Sequence, residues 1–212
     1  MKIIIFGAQG NVGSKVVEEA LNRGHQVTGV VRKEQQLSQF PDKVHGVLGD
    51  AQSLEQVSAL IKGHDLVISA LRPAEGQEAL LVPITQTILS GAKAAGVRVL
   101  IVGGAASLKL PDQDETVLSA KNFLPDAVKP IATACFAQHQ AVNDSSNRDW
   151  AYLSPPAMLV DGARTGQYRV ALDELIYDKN GQSQISMADF AVVLLDEAEQ
   201  PQHHQQRFTA AY

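Results

Sequence analysis

The sequence predicts an α/β fold: a doubly wound parallel sheet with helices on both faces. Three observations carry this. Strand-like and helix-like segments alternate along most of the chain, and such alternation builds parallel sheets through βαβ crossovers. The chain opens on the apolar run Lys2-Ile3-Ile4-Ile5-Phe6, which reads as a buried parallel strand. Directly after it come Gly7, Gly10 and Gly13 in the run Gly-Ala-Gln-Gly-Asn-Val-Gly, and then an apolar period of helical spacing.

The elements follow in order. Val12, Val16, Val17, Ala20 and Leu21 share one face of a first helix, which Asn22-Arg23-Gly24 ends with a residue suited to a left-handed cap. Gln26 to Val31 is a second strand, Val44 to Leu48 a third, and Gly49-Asp50 its turn. Ser53 caps a short helix reaching Leu60. Asp65 to Ala70 reads as a fourth strand. Leu80, Leu81, Ile84, Ile88 and Ala92 recur at helical spacing in a helix from about Glu78 to Ala95, with Gly96 as cap. Val97 to Val102 is a fifth strand, followed by Gly103-Gly104. Right-handed crossovers favour the strand order 3-2-1-4-5-6.

Leu108 to Pro130 breaks the rhythm, with Pro111, Pro125 and Pro130 and no clean apolar period. A loop this long is a functional cover or a mobile segment. Ile131 to Ser145 is then a helix, Trp150 to Leu153 a sixth strand, and Pro155-Pro156 a forced turn. Gln167 to Ala171 and Gln184 to Ser186 read as short strands, Asp189 to Ala198 as a helix, and Arg207 to Tyr212 as a closing strand. The expected organisation is a single domain over residues 1–212, in which residues from about 154 to 212 contribute a small substrate portion.

Composition narrows the function classes. The net charge of −5, from 18 basic and 23 acidic residues, gives no broad attraction to nucleic acid or membrane. Cys135 is the only cysteine, which excludes an internal disulfide and a cysteine-built metal site. No metal site is expected, since His203 and His204 have no second cluster beside them. No apolar run approaches the length of a membrane span, and the chain begins in a strand rather than a leader. A cytoplasmic protein acting on a small molecule is the expectation, with the oligomeric state left open.

The glycine turn carries the first chemistry. Strand, turn and helix bring unpaired backbone N–H groups and the positive end of a helix dipole to one point, which suits a pyrophosphate. Gly7 permits the sharp turn, Gly10 lets phosphates approach, and Gly13 lets helix pack on strand. The end of the second strand then discriminates between nucleotides. A site for NAD places a carboxylate there to meet the ribose hydroxyls. Here Arg32 and Lys33 follow Val31, and two cations attract a 2′-phosphate, so NADP(H) is expected over NAD(H). Asp50 is placed to accept a hydrogen bond from the adenine amino group.

With these residues in view, the chain resembles the atypical short-chain dehydrogenase/reductases. It is most similar to the NAD(P)H-binding group that includes flavin reductase and biliverdin reductase-like proteins. The carriers are Lys-Ile-Ile-Ile-Phe-Gly-Ala-Gln-Gly-Asn-Val-Gly, Val-Val-Arg-Lys, Gly49-Asp50, Ser-Ala-Leu-Arg-Pro, Gly-Gly-Ala-Ala-Ser-Leu and Ser-Pro-Pro-Ala-Met, in that order over essentially the whole chain. The resemblance implies a Rossmann-like fold. It implies that Gly7, Gln9, Gly10, Asn11, Val12 and Gly13 line the pyrophosphate. Arg32 and Lys33 would meet the 2′-phosphate, and Asp50 and Ala51 the adenine. Ala70 and Leu71 would face the nicotinamide-side ribose. Gly103, Gly104, Ala105 and Ser107 would border the nicotinamide, and Pro155, Pro156, Ala157 and Met158 would reach its carboxamide and the acceptor. The loop from 108 to 130 and the segment Arg164 to Tyr168 are expected to wall the acceptor.

Typical members of that superfamily use Tyr-x-x-x-Lys on the helix before the sixth strand, with a Ser after the fifth. Counting back from Pro155-Pro156, the matching positions are Phe136 and Gln140, and neither exchanges a proton at neutral pH. Ser107 survives as the one candidate catalytic residue. Two readings stay open. Either the acceptor is flavin- or quinone-like and draws its proton from solvent, or the protein binds NADP(H) without turnover as a redox sensor. His139, one residue from the lost lysine position, has a side chain that ordinarily titrates near neutrality.

Overall fold

The computed structural model describes residues 1–212. Its main sheet is built from β1 (Lys2–Phe6), β2 (Gln26–Val31), β3 (Val44–Leu48), β4 (Leu66–Ser69), β5 (Arg98–Val102), β6 (Trp150–Ser154), β8 (Arg169–Ala171) and β10 (Gln206–Ala211). Their order is β3-β2-β1-β4-β5-β6-β10-β8. All pairings are parallel except β10 with β8. A separate parallel pair joins β7 (Met158–Val160) to β9 (Gln184–Ser186). The order expected for the first six strands is the one observed.

The side-chain alternation of each strand explains the layers. Ile3 and Ile5 enter one core with Val16, Ala20, Leu100, Leu153, Phe190 and Leu194. Ile4 and Phe6 enter the other with Val57, Ile88, Val99, Ile101, Trp150 and Tyr152. A strand buried on both faces therefore needs apolar residues at every position, and Ile-Ile-Ile-Phe supplies them. Helices α1 (Asn11–Asn22) and α5 (Met187–Glu199) cover the first face. Helices α2 (Leu54–Ile61), α3 (Leu81–Ala95) and α4 (Lys129–Asn143) cover the second.

Caps set the helix ends. Ser53 accepts a hydrogen bond from the Gln56 N–H at 3.3 Å, and Ser186 one from the Asp189 N–H at 3.0 Å, each satisfying an orphan donor of a first turn. Gly96 closes α3 in the left-handed conformation at φ 66°. The helix expected from Glu78 starts instead as a 3-10 turn, Glu78–Leu80, and becomes α-helical at Leu81.

The segment from Leu108 to Pro130 is held rather than loose. Leu108, Leu110 and Val117 form a small core with Leu175, and Lys109 bridges to both Thr116 and Glu174. Residues beyond 154 also enter the main layers, since α5 packs on α1 and β10 pairs with β6. No helix is long and apolar enough to cross a membrane.

Candidate cofactor and acceptor site

A cleft of about 850 Å³ opens along the carboxyl ends of β1, β2, β4, β5 and β6. It spans the point between β1 and β4 where the winding direction reverses, the usual ligand crevice of such sheets. Three glycines shape its floor. Gly7 has φ +82°, and a Cβ there would lie 2.5 Å from the Ala70 carbonyl oxygen. A Cβ on Gly13 would lie 2.0 Å from the Gly7 carbonyl oxygen, so only glycine lets α1 sit this close to the turn. Gly10 is the N-cap of α1 and offers no side-chain cap. The first N–H groups of α1 thus face the cleft without a protein side chain capping them.

Most of the expected cofactor residues line this cleft: Gly7, Gln9, Gly10, Asn11 and Val12, Arg32, Asp50 and Ala51, Ala70 and Leu71, then Gly103, Gly104 and Ala105, and Pro155, Pro156 and Ala157. Two do not. Gly13 is buried under the turn it packs against. Lys33 caps the 3-10 turn Glu34–Gln39, its N–H donating to Gln36 Oε1 at 3.0 Å, and lies outside the lining. In its place stands Gln36, whose amide donates to Gln9 Oε1 at 3.2 Å while Gln9 donates back to the Gln36 carbonyl at 2.6 Å.

The expected acceptor residues are placed differently. Ser107 lies outside the cleft lining, its hydroxyl and carbonyl both accepting from Arg207, at 2.8 and 2.7 Å. Met158 is exposed on β7, outside the lining. Arg164 forms a two-point pair with Glu19, at 2.6 and 2.8 Å, and Arg23 adds a third contact to that carboxylate at 2.7 Å. These guanidinium groups hold Glu19 below the usual carboxylate range. Tyr168 donates to Asp196 on α5. Both residues brace the α1–α5 layer, and neither lines this cleft.

The helix face also differs from the count. The α4 residues that line the cleft are Ile131, Ala132, Cys135 and Gln138, while Gln140 is exposed and Phe136 lies off the lining. The pair at relay spacing that faces the cleft is therefore Ile131 and Cys135. Burial pushes the Cys135 thiol up to about 11, so the conclusion that no protein acid stands here is unchanged. His139 is pushed down to about 4, chiefly by burial and further by Arg207. It is neutral at pH 7. Tyr152 is fully buried beneath Gly103 and Gly104, its hydroxyl donating to Gln138 Oε1 at 3.0 Å and accepting from the Gly104 N–H at 3.3 Å. Gln138 in turn donates to Thr85 at 2.9 Å.

The loop from 108 to 130 does reach the cleft, where Val117, Leu124 and Val128 line it beside Ile131; Leu80, Ile84 and Arg72 also line it, and these three were not expected there. The signal available was the Leu71-Arg72-Pro73 turn after β4, a cation at the carboxyl end of a central strand.

Residues 7–201 match the model of an NAD(P)H-binding family. Over 211 residues the chain is 36% identical to the YwnB protein of Bacillus subtilis (strain 168), covering 99% of this chain and 97% of the relative. Among solved structures, a candidate epimerase from Bacteroides thetaiotaomicron superposes with a TM-score of 0.90 at 38% identity, covering 100% of this chain and 96% of that one. A candidate NADH-flavin reductase from Streptococcus pneumoniae TIGR4 superposes with a TM-score of 0.89 at 30% identity, covering 100% and 99%.

Proposed function

The chain belongs to the NAD(P)H-binding family, and from that membership we propose that it is an NADPH-dependent oxidoreductase passing hydride to a flavin- or quinone-like acceptor without a protein proton relay. The observation that carries this reading is the make-up of α4 at the cleft. Ile131, Ala132 and Cys135 offer no proton at neutral pH, whereas carbonyl–alcohol and epimerase chemistry leans on a positioned acid or base. An extended conjugated acceptor needs orientation more than protonation.

The residues fit the cofactor. The turn at Gly7, Gly10 and Gly13 is close-packed, since a Cβ at Gly7 or Gly13 would collide with backbone while one at Gly10 would stand 3.3 Å from the Gly7 carbonyl oxygen, and the N-terminus of α1 would present N–H groups to a pyrophosphate. Arg32 would receive the 2′-phosphate at the end of β2, and Asp50 the adenine amino group at the end of β3. Ala70, Leu71, Gly103 and Gly104 would border the nicotinamide, and Pro155 to Ala157 its carboxamide, all of them lining the cleft. Bound dihydronicotinamide supplies two electrons and a proton as hydride. The apolar residues of α3 and α4 that line the cleft would exclude water from the bound ring and orient the acceptor, and the remaining proton would come from solvent.

The test is a steady-state screen of NADPH oxidation against flavins, quinones and small aldehydes. Turnover with flavins or quinones and none with aldehydes is expected. Tight NADPH binding with no oxidation by any of them would replace this reading with that of a redox sensor.

A further inference from the structure

Two buried side chains on neighbouring strands carry the two ends of the turn that follows β5. Arg207 on β10 is the register partner of Tyr152 on β6, so both side chains leave the sheet on the same face. Tyr152 lies under Gly103, and its hydroxyl accepts from the Gly104 N–H at 3.3 Å. Arg207 holds the other end. Its Nη1 donates to the Ser107 carbonyl at 2.7 Å and to the Ser107 hydroxyl at 2.8 Å, while Nη2 donates to Asp173, just beyond β8. The turn held in this way, Gly103 to Ala106, lines the cleft, whereas Ser107 and Arg207 lie outside the lining.

The other buried pairings of arginine fasten helices: Arg23 and Arg98 hold α5 through Asp196, Glu199 and Glu197, and Arg23 also holds Glu19 on α1. Arg207, only 8% exposed, instead joins the last strand to the wall of the cleft. Its partner Ser107 follows β5, which β6 separates from β10. From this placement we infer that Arg207 is a positioning residue. Acting through Ser107, it holds the Gly103–Ala106 turn in the geometry that receives the nicotinamide half of the cofactor, an inference that rests on the cofactor reading above. Arg suits the task because its planar fork reaches two segments at once, where the ammonium of Lys is a single point charge. Ser107 then serves as the acceptor that fixes the turn. The adenosine half of the site stands apart, at the ends of β2 and β3, so losing Arg207 should loosen one half and leave the other intact.

Binding reads the two halves separately. Calorimetry measures the affinities of NADPH and of 2′,5′-ADP, which keeps the adenosine half and lacks the nicotinamide, with no acceptor present. The unmodified protein should prefer NADPH. A turn that holds its geometry a tenth of the time binds its ligand about tenfold more weakly. Arg207→Ala should therefore cut the preference for NADPH by roughly tenfold and leave the affinity for 2′,5′-ADP unchanged. Arg207→Lys should restore part of the preference. Ser107→Ala, which removes one of the two acceptors and keeps the carbonyl, should lower it by a smaller factor. These two milder variants carry the test if Arg207→Ala does not fold. An unchanged preference in every folded variant would overturn the inference, and so would equal losses for the two ligands or equal affinities in the unmodified protein. Absence of binding by either ligand would remove the cofactor reading and this inference with it. Failure of flavin reduction leaves the preference untouched and removes only the reductase reading.

Discussion

The Tyr152 hydroxyl donates to the side-chain oxygen of Gln138 at 3.0 Å, under the backbone of Gly103 and Gly104. This pairing commits the one tyrosine beside the cleft to structure. Burial pushes that hydroxyl far above the usual tyrosine range, and through Gln138 and Thr85 it ties β6, α4 and α3 into one polar network within an apolar core. Tyr152→Phe leaves the Gln138 oxygen short of a donor, so stability should fall by about 1–3 kcal/mol. Flavin reduction should persist. Urea denaturation and an NADPH oxidation assay check the two halves separately.

Arg32 is expected to set the cofactor preference. NADPH should bind more tightly than NADH by roughly 1–3 kcal/mol, and Arg32→Ala should erase most of that difference while changing NADH affinity little. Calorimetric titrations with both nucleotides read this directly. Lys33→Ala should have a smaller effect, because Lys33 lies outside the cleft lining.

Two of the three turn glycines should separate by function. Gly10→Val places a branched side chain at the mouth of the α1 N-terminus, and its backbone conformation at φ −72° accepts one. NADPH binding should be lost while the circular dichroism spectrum is kept. Gly13→Ala forces a Cβ to 2.0 Å from the Gly7 carbonyl oxygen, so its thermal midpoint should drop even without cofactor. The reverse pattern would put the phosphates elsewhere.

The missing relay can be rebuilt at two registers. Ile131→Tyr with Cys135→Lys installs a tyrosine–lysine pair on the face of α4 that lines the cleft, whereas Phe136→Tyr with Gln140→Lys installs it off that face. If proton transfer does not limit flavin reduction, neither pair should accelerate it. Only the first should add activity with ketones, where general acid catalysis contributes on the order of 10²–10⁴-fold. Rate measurements with both acceptor classes decide.

Asp189 should give an acid-labile component to stability. Burial raises its carboxyl, but donors from Thr165, Tyr212 and Gly166 outweigh this and hold it below the usual range. A depressed carboxylate stabilises the fold above its ordinary titration range, and that contribution is lost as pH falls through the lowered value. Stability should decline in acid below about pH 4, and Asp189→Asn should flatten that decline while lowering stability at pH 7. Denaturant midpoints across the acid range test it.

The sheet order, the glycine turn and most of the cofactor cleft were legible because each rests on local pattern: period two or 3.6, and glycines at a turn. The apolar remainder of the cleft was legible in part: the 108–130 loop supplies Val117, Leu124 and Val128 as expected, but Leu80, Ile84 and Arg72 were not anticipated and Arg164 and Tyr168 stand elsewhere. Arg164 looked free for an anion, but its partner Glu19 lies 145 positions earlier, and no local pattern connects them. Tyr168 was misread in the same way, through Asp196. The face of α4 was obscured because Ile131, Ala132, Ala134, Cys135, Phe136 and Ala137 are apolar on nearly every side. A helix turns about 100° per residue, so a slip of one position re-aims the whole face. β7 escaped notice as three residues, one of them the exposed Met158.

The central claim is hydride transfer from NADPH to a flavin-like acceptor, and anaerobic mixing tests it most directly. Catalytic protein is added to NADPH and FMN without oxygen, and absorbance is followed at the nicotinamide and flavin bands together. The account predicts protein-dependent loss of both in one-to-one proportion, with NADH slower at equal concentration. Tight binding of NADPH with no protein-dependent bleaching of the flavin would contradict it.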